Sequence, residues 1–297
     1  MAVTEQLTQE GWMLFILSVV IAAVVVAVAV RRPGARRMGD WADRYDLPLT
    51  DANRPLVTRY LRRTRSFRAI GGAIGWLISM TWVAVTRRPF PLGGDALALA
   101  IAGYLLGAVA AEATFLRPPQ RRAGPRTASL IPRELGDYVG SFAVQALRLL
   151  PLATVGLAVV YAVVPKDPLR TVDPSVAFVV VVSAALVVFS VALEAILRSI
   201  VARAQPAEDE ALVTADDAIR SASIHALSGA GIGMLLVGVG WATVSVGTVA
   251  SSELLQSMLP WFGVLAFAGG VAGWIVLGHP SRWRVRHDAG AGAGSTR

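Results

Sequence analysis

Four ionisable residues lie within or beside long apolar stretches of the chain: Glu112, Arg148, Glu194 and His225. A charged group in hydrocarbon is costly, so such residues pair with one another or mark a pathway for protons or substrate. A guanidinium stays protonated when it is buried, so Arg148 needs a partner there, and either glutamate lies at a suitable depth. The sequence therefore predicts an intramembrane polar cluster formed by these four residues.

Three roles stay open for this cluster. It is a structural Glu–Arg pair, a set of side chains that extend to the interface, or a relay for protons or substrate. Considered alone, His225 is typical of a hydrogen-bonded interfacial histidine.

Asp40, Asp43 and Asp46 suggest different chemistry, because spaced aspartates can hold magnesium and a diphosphate. No matching pair occurs elsewhere and arginines alternate with these aspartates, which favours a solvated charged helix.

The sequence lacks the motifs that commit a membrane protein to catalysis. It contains no HExxH, no GxSxG and no P-loop, and it has no cysteine and only three histidines. We therefore expect a non-enzymatic protein that needs no cofactor or metal. The sequence pI near 10.8 follows from arginine-rich loops beside a membrane, so no nucleic-acid partner is expected.

Seven long apolar stretches must position these side chains. Each is close to the roughly 20 residues that cross a hydrocarbon core of about 30 Å, and lipid requires the backbone to be paired within each segment, as in a helix. A chain with 55% hydrophobic and 16% charged residues fits this interpretation. The sequence predicts one all-α integral membrane domain over residues 1–297, a transmembrane helix bundle of about seven spans with a disordered tail at 288–297. The spans are predicted at residues 12–30, 69–86, 96–116, 146–164, 175–197, 227–250 and 254–278.

The basic residues are concentrated in alternate connections between these stretches. Residues 31–68 hold eleven arginines and residues 117–136 hold five. Because positively charged loops stay in the cytoplasm, the N-terminus is predicted outside and the C-terminus in the cytoplasm of a bacterial plasma membrane. The competing count is six spans, with the last two stretches merged into a re-entrant pair.

Two features of the apolar stretches predict how the helices are arranged. Similar patterns around Glu112 and Glu194, each followed by a proline-containing loop and a serine-led re-entry, indicate a possible parallel hairpin repeat. Glycines four residues apart share one helix face and let a neighbouring backbone approach closely. Four such pairs predict a tightly packed bundle: Gly71/Gly75, Gly103/Gly107, Gly229/Gly233 and Gly269/Gly273.

The connections at 31–68 and 198–225 differ in character. In the first, Asn53-Arg54-Pro55 predicts the start of a helix, with Val57, Tyr60 and other apolar residues at helical spacing among arginines. We expect this helix to lie at the inner interface, with its arginines on anionic lipid head groups and its apolar stripe in the acyl boundary. A topology anchor and a docking site for a cytoplasmic partner are both open. The acidic connection at 198–225 is predicted to be a solvated loop followed by a helix cap.

Two short segments carry a resemblance to known proteins. Asp46-Leu47-Pro48-Leu49-Thr50 and Ala215-Asp216-Asp217-Ala218-Ile219-Arg220, with the heavy use of arginine, alanine and valine, resemble multi-pass membrane proteins of actinobacteria. The resemblance implies association with a separate ABC-type ATPase and implies no catalytic residues.

We expect a non-enzymatic plasma-membrane protein, either a permease-like subunit or an accessory of a transport system. Its partners would be the lipid bilayer, with anionic lipids at the basic loop, and a cytoplasmic ATPase subunit. The sequence leaves open whether copies of the chain form a homo-oligomer. The alternative is a membrane enzyme acting on a lipid-linked substrate at the cytoplasmic face, with magnesium held by Asp40 and Asp43.

Overall fold

The computed structural model describes residues 2–86, 94–115, 135–167, 174–203 and 210–278. Within these ranges the chain is helical, apart from one isolated antiparallel β-bridge between Lys166 and Ala250 and a single 3₁₀ turn at Leu135–Asp137. The predicted tail at 288–297 lies outside the described residues. The helices are α1 (Ala2–Val30), α2 (Ala35–Arg44), α3 (Arg54–Thr86), α4 (Gly94–Phe115), α5 (Ser141–Val163), α6 (Val176–Val201), α7 (Glu210–Val249) and α8 (Glu253–Gly278).

Each predicted span coincides with part of one long helix, which confirms the all-helical class. Of the described helices, α5, α6, α7 and α8 are each long and apolar enough to cross a membrane. Helices α1 and α2 pass the same test only together, across a bend of 70°, which raises the number to as many as five. The apolar part of α4, Leu99–Thr114, is shorter. Seven crossings, the orientation of the termini and the hairpin repeat therefore stay predictions.

Helix α7 forms the centre of the bundle, in contact with α3, α4, α5, α6 and α8. In its most apolar window 67% of residues are buried, against 22–28% in the corresponding windows of α5, α6 and α8. Leu227 and Leu235 of α7 pack with Leu147 of α5 and Leu193 of α6 in the largest apolar core. The outer helices instead expose valine, leucine and isoleucine, as expected of surfaces that face lipid.

The N-terminal part of α7 corrects the prediction of a solvated loop at 198–225. The helix begins at Glu210, and Ala215, Ala218 and Ala222 lie three or four residues apart on one face. Their small side chains let this face pack closely against α2 and α3 in a second apolar core. Residues 210–226 of α7, residues 54–68 of α3 and the whole of α2 form one end of the bundle, which we call the basic end.

The predicted start of α3 is confirmed, but the prediction that the apolar stripe of its first turns lies in acyl chains is wrong. The backbone N–H of Thr50 donates to Asn53 Oδ1 at 2.9 Å, and the Asn53 side-chain amide donates to the Pro48 carbonyl at 2.9 Å. The helix then continues without a break from Arg54 to Thr86. Its residues Val57 and Tyr60 are buried against α2 and α7 rather than in acyl chains, because α2 folds back over this face.

Glycine pairs bring α3 and α4 into backbone contact, as the sequence predicts. A Cβ added at Gly71 would overlap the Gly103 carbonyl oxygen and lie 2.9 Å from Gly107 Cα. A Cβ added at Gly103 would likewise overlap the Gly71 carbonyl oxygen and lie 3.0 Å from Gly75 Cα. The two predicted pairs therefore pack on each other, with no side chain between the two helices at this point.

Helices α7 and α8 also pack closely, but through a different set of glycines in α8. A Cβ at Gly233 would lie 3.0 Å from the Gly270 carbonyl oxygen, and one at Gly240 would lie 2.7 Å from that of Gly263. In contrast, a Cβ at Gly269 would approach nothing nearer than 3.9 Å. The contact face of α8 thus repeats every seven residues, and the predicted Gly269/Gly273 pair does not form the contact.

Candidate functional site

A cleft of about 730 Å³ lies between α1 and the rest of the bundle near the basic end. It exists because α1 packs along α3, while the neighbouring helices form the opposite wall. Valines of α1 and small residues of α3 line its apolar part. Those apolar lining residues include Val24, Val25, Val28, Ala69, Gly72 and Ala73.

Arginine dominates the polar part of the same cleft. Arg37 and Arg44 reach it from α2, and Arg65 and Arg68 reach it from α3. Asp40 is the only carboxylate in its described lining, so four positive charges face one negative charge. This excess of positive charge beside the apolar part of the cleft favours binding of a ligand that has both an anionic group and an apolar body.

Arg68 is held in the polar part of the cleft by an aromatic ring. Its guanidinium carbon lies 5.0 Å from the centroid of the Trp274 ring, a cation–π contact that holds the side chain in place. Its Nε is buried and has no hydrogen-bond partner among the described residues. A buried donor without a partner is unfavourable, so Arg68 is well placed to bind an acceptor that enters the cleft.

Glu112 lies directly behind the cleft and joins three helices. Tyr60 of α3, which lines the cleft, donates its hydroxyl to Glu112 Oε1 at 3.0 Å. Ser223 of α7 donates to Oε2 at 2.6 Å. Glu112 is only 1% exposed, and the charges of Arg68 and Arg63 act on it electrostatically. Both carboxyl oxygens are thus hydrogen-bonded, as a buried polar group requires.

The two tyrosines at this end of the cleft stay protonated at neutral pH. Burial raises the pKa of Tyr45 to about 12, with Arg44 acting in the opposite direction. Burial also raises the pKa of Tyr60 well above its usual range, and the nearby charge of Glu112 adds to this effect. Tyr60 therefore remains a hydrogen-bond donor to Glu112.

The structure does not bring the four predicted cluster residues together. Arg148 Nη2 lies 3.0 Å from Glu194 Oε1, and Arg198 reaches the same oxygen at 2.7 Å, on an exposed face of α5 and α6. Glu112 binds Tyr60 and Ser223 elsewhere. His225 is separate again, with Nδ1 donating to the Ser221 carbonyl at 2.8 Å.

The three spaced aspartates lie in different surroundings. Asp40 lines the cleft, Asp43 is exposed, and Asp46 turns the chain after α2 with a φ of 51°. Within the described ranges, no group of three histidine or acidic residues is placed to hold a metal ion.

A buried ion-pair network lies at the basic end where α6 approaches α7. Asp216 Oδ1 pairs with Arg203, just after α6, and Asp216 Oδ2 accepts from Arg220 Nη2 at 3.1 Å. The Arg220 side chain is 2% exposed, and its Nη1 donates to the Val201 carbonyl at 3.4 Å. This network lies in the connection predicted to be a solvated loop, although the i, i+4 spacing of Asp216 and Arg220 indicates the pair.

The apolar outer helices, the buried central helix and the charged basic end together define a multi-pass membrane protein built as an α-helical bundle. No family model, curated protein or solved structure matches the chain.

We expect Glu112→Gln to destabilise the protein more than Glu194→Gln. The amide at 112 has only one acceptor oxygen, so either the Tyr60 or the Ser223 hydroxyl would lose its acceptor in a buried position, which costs about 1–3 kcal/mol. Glu194 is 33% exposed in its pairs with Arg148 and Arg198, and such pairs contribute about 0–1 kcal/mol. Thermal unfolding of the detergent-solubilised variants measures the difference. Equal melting temperatures would show that the Glu112 hydrogen bonds do not stabilise the bundle.

Proposed function

We propose that this protein is a non-enzymatic, permease-like subunit or accessory of a transport system, and that its cleft binds an anionic amphiphile. The observation that carries the proposal is the continuity of the cleft, in which one cavity joins an apolar part to a polar part with four arginines. An amphiphile with an acidic head group matches both parts at once.

The size and lining of the cleft support this ligand class. Ligand sites commonly have volumes of about 300–1,000 Å³, with a mainly apolar lining and a few polar groups that fix orientation. The cleft, at about 730 Å³, is in this range. Its valine and small-residue surface suits an alkyl chain, and Arg65 and Arg68 suit a carboxylate, sulfate or phosphate.

The membrane environment and orientation belong to the same proposal. The arginine bias of the connections supports a bacterial plasma membrane with the basic end in the cytoplasm, and the N-terminus outside. The cleft would then accept ligands from the inner leaflet. A partner ATPase of the ABC type, or an ion gradient, would supply the energy for any net movement of the ligand.

Equilibrium binding to the purified full-length protein in detergent tests this function. The probes are lysophosphatidic acid and lysophosphatidylcholine with the same acyl chain. We expect tighter binding of the acidic probe, and roughly tenfold weaker binding after Arg65→Gln with Arg68→Gln, because two charge-assisted contacts are lost.

Arg54→Gln with Arg59→Gln is the matched control, because it removes the same charge from exposed positions in the first turns of α3 that do not line the cleft. We expect this control to weaken binding of the acidic probe less than Arg65→Gln with Arg68→Gln does. Equal binding of both probes, or equal losses in the two variants, would contradict the assignment of the cleft.

A membrane enzyme acting on a lipid-linked substrate is the second candidate function. One observation favours it, namely that Asp40 lines the same cleft as the four arginines and offers an oxygen ligand for magnesium. This candidate requires magnesium-dependent turnover of a lipid-linked diphosphate that is lost in Asp40→Asn and retained in the wild type. Binding without turnover favours the transport role.

A further inference from the structure

A second, strongly basic groove lies on the face of α3 opposite the cleft. Its described lining comes from the end of α1 and the first turns of α3, and it has a volume of about 860 Å³. Five arginines line it, and no acidic residue is among its described lining residues. The arginines are Arg32, Arg54, Arg59, Arg62 and Arg63.

Two of these arginines are held in place but keep unused donors. Arg62 Nε donates to the Val30 carbonyl at 2.9 Å, which joins the end of α1 to α3. The Arg63 guanidinium carbon lies 5.3 Å from the Phe67 ring centroid, and its Nε is buried without a partner among the described residues. Fixed guanidinium groups with free donors suit the oxygens of a phosphate.

The same face of α3 continues from the groove as an exposed apolar stripe. Ile70, Ile74 and Ile78 follow Phe67 at spacings of three and four residues, so they share its face. Their exposed fractions are 41%, 53% and 55%. An apolar stripe that begins at a basic groove has the polarity profile of a phospholipid, with a charged head and an apolar body.

The length of the stripe matches one leaflet of a bilayer. At a rise of about 1.5 Å per residue, the eleven steps from Phe67 to Ile78 cover roughly 16 Å. One leaflet contributes about half of a hydrocarbon core of roughly 30 Å. Acyl chains that lie on the isoleucines would therefore place their phosphate beside Arg59 and Arg63.

We propose that this groove is a binding site for an anionic phospholipid with more than one phosphate, whose acyl chains lie along Ile70, Ile74 and Ile78. Five arginines exceed what a single phosphate charge can balance, which favours a head group with two separate phosphates. The site is independent of the cleft and of the proposed transport role, because it uses other side chains on the opposite face of α3.

Lipid titration followed by native mass spectrometry of the full-length protein tests this site. The probes are tetraoleoyl cardiolipin, dioleoylphosphatidylglycerol and dioleoylphosphatidylcholine. We expect affinity to decrease in that order, and Arg59→Gln with Arg63→Gln to weaken cardiolipin binding roughly tenfold or more, since each basic residue near a lipid surface contributes to attraction. Arg65→Gln with Arg68→Gln, the matched change in the cleft, should weaken cardiolipin binding less than Arg59→Gln with Arg63→Gln does.

Additional variants and anions distinguish binding of a phospholipid from binding of other anions. Ile74→Ser with Ile78→Ser should weaken cardiolipin binding while leaving the groove arginines intact, because it removes the acyl contact alone. Arg59→Lys with Arg63→Lys keeps the charge and should retain the preference for cardiolipin over phosphatidylcholine. This variant therefore tests whether the glutamine variant loses binding because it loses charge or because it misfolds.

Equal cardiolipin affinity in the wild type and the Arg59→Gln/Arg63→Gln variant would overturn the proposal. Arginine-dependent binding of polyglutamate or of inorganic phosphate, without cardiolipin binding, would also overturn it and indicate a soluble anionic partner.

Discussion

We expect the Gly71→Ala protein to unfold at a clearly lower temperature than the wild type. The added methyl group would overlap the Gly103 carbonyl oxygen and lie 2.9 Å from Gly107 Cα. Both are backbone atoms, so no side chain can rotate away, and α3 and α4 must move apart. Overpacking of this kind costs about 1–3 kcal/mol, and Gly71→Leu should cost more. Thermal unfolding in detergent measures the loss.

Gly72→Ala is the control for this prediction. It lies one residue further along the same helix, and its Cβ would meet Tyr104 Cβ at 3.5 Å, an ordinary contact. Alanine favours helix over glycine by up to about 1 kcal/mol, so this variant should be as stable as the wild type or slightly more so. A Gly71→Ala protein that melts with the Gly72→Ala protein would show that the two backbones do not touch.

The positions of the long helices were largely predictable from the sequence, because lipid demands apolar runs of a fixed minimum length. The predicted spans ending at residues 30, 86 and 278 end where α1, α3 and α8 end. Apolar runs do not show where a helix extends into water. The charged first turns of α3 and α7 were therefore interpreted as an interfacial helix and a loop, although each is continuous with a long helix and the two pack against each other.

The contacts of the polar residues were less predictable, because they depend on which helices become neighbours. Depth along the helix made Glu112 and Glu194 equal candidates to pair with Arg148, and only the packing of α5 beside α6 selects Glu194. The bond from Tyr60 to Glu112 joins residues 52 positions apart, which no local spacing reveals. The spacing of Arg65 and Arg68 places them on one face of α3 with small residues, and this face could be recognised from the sequence. That the face lines a cleft could not, because the cleft forms only where α1 packs along α3.

The second large effect is expected at Asp216, whose carboxylate is shared by two arginines. Arg203 pairs with one oxygen, and Arg220, with a side chain only 2% exposed, donates to the other. A guanidinium does not lose its proton on burial, so Asp216→Ala would remove the carboxylate that bridges two cations and would leave the buried Arg220 without its ion-pair partner. Loss of one partner from a buried ion pair costs about 3–5 kcal/mol.

A double-mutant cycle with Arg220→Met distinguishes this network from a set of independent contacts. Arg220→Met leaves Asp216 paired with Arg203 and puts an apolar side chain in a buried position, so it should destabilise the protein less than Asp216→Ala does. Once Arg220 is absent, Asp216→Ala leaves only the partly exposed Arg203 unpaired and should cost less than it does in the wild type. The two losses should therefore fall short of additivity by about 0.5–3 kcal/mol, the range for residues in one network. Thermal unfolding of the four proteins in the same detergent provides the comparison, and strictly additive losses would mean that Asp216 and Arg220 stabilise the basic end independently.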